Sequence, residues 1–150
     1  MNTTATNCLP LNDMDTWIFI ANPNRFRMND YLADNGFVEF FQRNKVEVGD
    51  VVYLYMTAPY SRIEYKLYVE RMNIPLKESV DDRAYSLRKH PLEFKPTDQF
   101  VRLRLQERVI DPGLNLSCLY EHGLTGSMQT NKRANKELTD YINSIFESHK

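Results

Sequence analysis

The chain has 150 residues, a length typical of one domain and enough to bury about two-thirds of the surface the unfolded chain exposes. With 42% hydrophobic and 26% charged residues, wholesale disorder is excluded. Nineteen Lys and Arg against twenty Asp and Glu leave a net charge of −1. That excludes a broadly basic nucleic-acid coat, though not a local patch beneath a neutral total.

Residues 1–14 are polar and rich in Thr and Asn, and read as a flexible N-terminal arm. The opening MNTTATNCLPLNDMD has no basic stretch followed by an apolar one, so a secretory signal is not expected. No apolar run approaches the length of a membrane span. Two cysteines, Cys8 and Cys118, make no disulfide framework and no CxxC pair, which fits a reducing, cytoplasmic setting.

Residues 15–150 read as a single domain. Thr16 to Ala21 (TWIFIA) predicts a buried strand, ended by the turn formers Asn22-Pro23-Asn24. Arg25 to Asn35 has the spacing of a short helix with Phe26, Tyr31 and Leu32 inward, and Gly36 supplies its left-handed cap. Phe37 to Asn44 fits either helix or strand. Gly49-Asp50 makes a turn into VVYLYM, a strand buried on both faces.

Ser61 to Arg71 alternates, with Ile63, Tyr65, Leu67 and Val69 on one face and Arg62, Glu64, Lys66 and Tyr68 on the other. The two runs are expected to pair as an antiparallel hairpin. Asn73 to Asp98 is polar, contains three prolines and reads as an insertion with one helical turn around Arg83 to Arg88. Phe100 to Val109 alternates again. Leu114 to His122 predicts a short helix, Gly123 to Asn131 a loop, and Lys132 to His149 an amphipathic closing helix carrying Leu138, Tyr141, Ile142, Ile145 and Phe146. The fold class expected is α+β: a small curved sheet or pseudo-barrel with helices around it.

Catalytic patterns are missing. His90, His122 and His149 stand far apart and none has a zinc spacing; no P-loop, GxSxG elbow or GxGxxG follows a strand. Asp81-Asp82 reads as a solvated loop rather than a nuclease pair, and Cys118 four residues before His122 as a packed core thiol. No enzyme activity, metal or cofactor is expected.

Trp17, Asn22-Pro23, the run VEVGDVVYLYMTAPYSRIEYKLYV from Val46 to Val69, and the later GLTGSMQT before a terminal helix occur in an order that resembles the EVE-type branch of the PUA-like superfamily, particularly the branch found beside restriction and HNH-nuclease modules. The resemblance skips the insertion at 73–98. It implies a pseudo-barrel with a cleft where the first two strands end, used by relatives to hold a flipped, modified base such as methylated or hydroxymethylated cytosine. Flipping costs a few kcal/mol, which stacking and bonds to the base edge must offset.

Carried over by position, Asn22 begins the first pocket loop, and it either reads a base edge or only makes the turn before Pro23. Tyr55 and Thr57 fall in the second pocket loop, Tyr55 as a stacking ring or as core. Tyr60 and Ser61 line the rim, Gln129 belongs to the late loop, and Trp17 is either core or cage. Arg25, Arg27, Arg62 and Lys66 are phosphate contacts or an ordinary solvated face. Where relatives commonly carry a tryptophan before Gly-Asp, this chain offers Phe40 and Phe41.

The function implied is a binding module for a modified base, with DNA favoured over RNA, acting with a separate nuclease or other effector and not at a membrane. The alternatives are a PUA-like RNA binder and a protein-interaction or small-ligand domain that has lost the pocket.

Overall fold

The computed structural model describes residues 15–150, so the expected arm at 1–14 lies outside the described residues. Six strands, β1 (Thr16–Ala21), β2 (Phe37–Phe41), β3 (Val51–Met56), β4 (Arg62–Pro75), β5 (Gln99–Arg108) and β6 (Lys132–Arg133), form one sheet in the order β2-β5-β4-β3-β1-β6. Among the described residues three α-helices accompany it: α1 (Met28–Asn35), α2 (Leu116–Glu121) and α3 (Lys136–Ser148). The sheet is mixed and not closed into a barrel: β1 runs parallel to β3, and every other pair is antiparallel. A parallel pair needs a crossover, and α1 with β2 supplies it.

Because β1 and β3 are central and covered on both sides, they read as unbroken apolar runs rather than alternating ones. Trp17 and Phe19 of β1, with Val52, Leu54 and Met56 of β3, join Tyr31 and Leu32 of α1 in one core. Ile18, Tyr53 and Tyr55 point the other way, onto α2 and α3, where Leu138, Ile142 and Phe146 are fully buried or nearly so. Each of those three contributes about 1.5–3 kcal/mol by leaving water. Phe19 of β1 and Phe40 of edge strand β2 meet at near right angles with ring centroids 5.4 Å apart, a contact between two strands that share no ladder.

Phe37 to Asn44, which fitted either helix or strand, is a strand over Phe37–Phe41, paired with β5 in direct antiparallel register. Other expectations are corrected. The first helix starts at Met28 rather than Arg25, since Phe26 is drawn into a bridge with Ser86. The closing helix starts at Lys136, not Lys132: Lys132 and Arg133 extend the sheet beside Ile18 and Trp17, and Asn135 caps the helix by accepting from the Leu138 amide. In the segment at 73–98, β4 continues to Pro75, and the expected helical turn is a 3₁₀ turn at Arg83–Tyr85.

The hairpin of β3 and β4 carries a bulge that the alternation did not foresee. Leu54 pairs with Tyr65 while Tyr55 pairs with Ile63, leaving Glu64 opposite nothing. The extra residue flips the phase, so Ile63 packs under α2 and α3 while Tyr65, Leu67 and Val69 face the other core. Glu64 is fully buried instead of exposed, accepting from Arg62 Nε at 2.8 Å and Arg108 Nη2 at 2.7 Å.

Candidate functional site

The parallel strands β1 and β3 end side by side, tied by the Thr57 amide donating to the Ala21 carbonyl at 3.0 Å. Beyond that tie the chain diverges into two loops, and the gap between them opens into a cleft of about 1420 Å³. Its walls come from the end of β1, from β2, from the segment after β4 and from the late loop at 128–131.

Two latches shape it. Asn131 accepts from the Ile20 amide at 2.9 Å and donates to Asn44 Oδ1 at 3.2 Å, joining the late loop both to β1 and to the chain after β2. On the other side the Leu87 amide donates to the Arg25 carbonyl and the Arg27 amide to the Tyr85 carbonyl, both at 2.9 Å. That pulls the segment after β4 across the β1–α1 turn.

The structure brings Asn22, Thr57, Phe40, Phe41, Gln129 and Arg25 together in this cleft. Asn22 Oδ1 accepts from the Asn24 amide at 2.9 Å, so the turn uses the acceptor and leaves the Nδ2 donor for the cleft. The Thr57 hydroxyl, the Gln129 amide and the guanidinium groups of Arg25, Arg43 and Arg88 make no hydrogen bond or ion pair among the described residues. Arg43 instead lies over the Phe41 ring at 5.0 Å.

Carboxylates are present as well, and most are spoken for. Glu39 is paired with Arg102 at 2.7 Å, and Asp81 with Arg83 at 2.8 Å, which holds the Asp81 carboxyl down at about 2. Asp82 is raised instead, chiefly by burial, with Asp81 and Glu39 nearby adding to it.

Other expected site residues lie elsewhere. Trp17 is buried, donating Nε1 to Asp50 Oδ2 at 3.1 Å, with Arg133 across its ring at 5.0 Å; it belongs to the core and not to a base cage. Tyr55 is buried on the α2–α3 side, where burial raises its hydroxyl and Ser61 bonds to it. Tyr60 borders a smaller hollow of about 220 Å³ with Pro23 and Asn29. Arg62 is spent on Glu64, Arg27 on Asp30, and Lys66 on Asn143 of α3 at 3.3 Å. A strand alternates its faces, so Tyr55 lies on the side opposite Met56, in the core under α2 and α3.

Among the described residues no three His, Cys, Asp or Glu side chains are placed to hold a metal. His122 stacks on Tyr141 with centroids 3.7 Å apart and turns Nδ1 to the Cys118 carbonyl at 2.9 Å. Sequence reading missed Arg43, Arg88, Asn131 and Phe94. The signal for Phe94 was an apolar pair, Leu92 and Phe94, inside an otherwise polar, proline-flanked run.

No protein-family model matches the chain, and no curated protein matches it in sequence. Solved structures share its fold. A hypothetical protein from Leishmania major superposes with a TM-score of 0.64 at 18% identity, over 92% of this chain and 98% of that one. An ASCH protein from Zymomonas mobilis gives 0.59 at 14% identity, over 89% and 96%. Human THYN1, in complex with DNA containing 5-methylcytosine, gives 0.56 at 12% identity, over 89% and 98%. These likenesses show the PUA-like α+β fold that the sequence resemblance implied.

Proposed function

We propose that this domain is a nucleic-acid-binding module that holds a modified base, a modified cytosine in DNA, at the ends of β1 and β3 and performs no bond chemistry of its own. The observation that carries this reading is the content of the cleft: the Phe40 ring, the free Thr57 hydroxyl, the Asn22 donor and three arginines without a carboxylate partner among the described residues. A base needs a ring surface and a few polar groups at its edge, and its phosphates need cations. A fold shared with a protein seen bound to 5-methylcytosine DNA supports the choice of ligand.

The test is fluorescence anisotropy at low salt, with duplexes carrying one central cytosine, plain, methylated or hydroxymethylated, and matched RNA. The expected result is tighter binding to one modified duplex, weakened about tenfold by Thr57→Val and by Asn22→Asp, which keeps the turn acceptor but loses the donor. Tyr55→Phe, on the far side of the sheet, is expected to change nothing. Equal, weak binding to every probe would sink the reading.

A further inference from the structure

A second arrangement in the same cleft is left unused by a single base. In the β2–β5 register Phe41 pairs directly with Phe100, so both rings share the outer face, opposite Phe40. Phe94 completes the group: it stacks on Phe41 at 5.9 Å with planes 16° apart and meets Phe100 edge-on at 5.0 Å. Phe94 packs against both rings, yet the residue is still 37% exposed, and neighbouring Leu92 58%.

This exposed ring is held in place. The Lys95 amide donates to Asp98 Oδ2 at 2.7 Å and the Asp98 amide to the Lys95 carbonyl at 2.9 Å, closing a turn just after Phe94. Arg43 backs Phe41 at 5.0 Å, with Arg88 in the same cleft. A preformed flat apolar surface beside cations without partners suits one class of occupant: a nucleobase attached to its phosphate.

We propose that Phe94, backed by Phe41, is a stacking platform for a second unpaired base. The preferred ligand is then a single-stranded stretch exposing consecutive bases, because a duplex offering one flipped base keeps the flanking bases stacked in the helix. This rests on reading the cleft as a nucleic-acid site.

The experiment uses a labelled single-stranded DNA pentamer, the same pentamer with abasic sites flanking its central cytosine, and a duplex with one methylated cytosine. The full chain binds the intact pentamer about tenfold more tightly than the abasic one. Phe94→Ala removes that preference while leaving the duplex unchanged, and Phe94→Trp restores it. Thermal melting checks that the variants remain folded, as substitution of an exposed ring predicts. An unchanged pentamer preference in Phe94→Ala overturns the platform and leaves the base pocket standing. Sensitivity to Phe94→Ala but not to Thr57→Val keeps the platform and removes the pocket. If no oligonucleotide binds, both fall and a protein occupant is the remaining choice.

Discussion

The two ends of strand β1 are drawn from one short apolar run, yet they are finished in opposite ways. At the start, the Asp50 carboxylate accepts from the Asp15 amide, the Trp17 indole and the Glu47 amide, and the residue is only 3% exposed. Gly49 turns the chain with a φ of +96°, a conformation in which a side chain would be strained, and so delivers Asp50 to that spot. At the end, after Ala21, the side-chain polar groups of Asn22 and Thr57 line an open cleft, and of these only the turn acceptor of Asn22 is used among the described residues. A satisfied end anchors the strand, while the unsatisfied end leaves donors and acceptors for a ligand. The difference teaches that the Gly-Asp turn, the most visible feature of the sequence, is a fastener, and that binding capacity is kept at the other end.

The largest effect expected from this contrast follows Asp50→Ala. A buried indole donor and two amides lose their shared acceptor, and stability is expected to fall by about 3 kcal/mol or more, read as a shift in the urea midpoint. A loss below about 1 kcal/mol would mean the start of β1 is not anchored in this way. Asn131→Ala comes next. It strands the Ile20 amide and frees the late loop, for an expected cost of about 1–2 kcal/mol together with weaker oligonucleotide binding.

Thr57→Val reverses the balance. Stability should stay within about 0.5 kcal/mol, because the hydroxyl has no partner among the described residues, whereas binding should weaken about tenfold. Equal damage to both properties would erase the distinction between the two ends.

The smallest effect concerns pH. Burial raises the Asp82 carboxyl, so its neutral form is favoured in the folded protein. The stability linked to that shift is present below the ordinary carboxylate range and is lost as pH rises through the raised value. Protonation also removes a negative charge from the cleft. Affinity for an anionic oligonucleotide should therefore strengthen as pH falls through that range, and Asp82→Asn should raise affinity at neutral pH and flatten the profile. A steeper profile in the variant would assign the effect to another group.

Much of the fold was legible. The unbroken apolar runs at Thr16–Ala21 and Val51–Met56 announced central strands, since burial on both faces leaves no room for polar alternation. The amphipathic spacing of Leu138, Ile142 and Phe146 announced a helix laid on a sheet. The resemblance, rather than any local pattern, pointed to Asn22, Thr57, Phe40, Phe41, Gln129 and Arg25, which line one cleft in the structure.

What the sequence determined by itself, then, was the kind and order of most elements, with β2 left open and β6 hidden in the closing helix, because periodicity and turn chemistry are local properties. The tertiary structure alone decided which residues share a face and a cavity. One bulge at Glu64 moved Ile63 across the sheet, and the packing of α2 and α3 took the Tyr55 face into a core while Thr57, two residues later, lines the cleft. The segment after β4, polar and proline-bearing, gave no periodic signal, so only the structure revealed that it is bonded to Arg25 and Arg27 and carries Phe94 to Phe41. A single residue of register exchanges the two faces of a strand, and no local pattern records which loop will close over which edge.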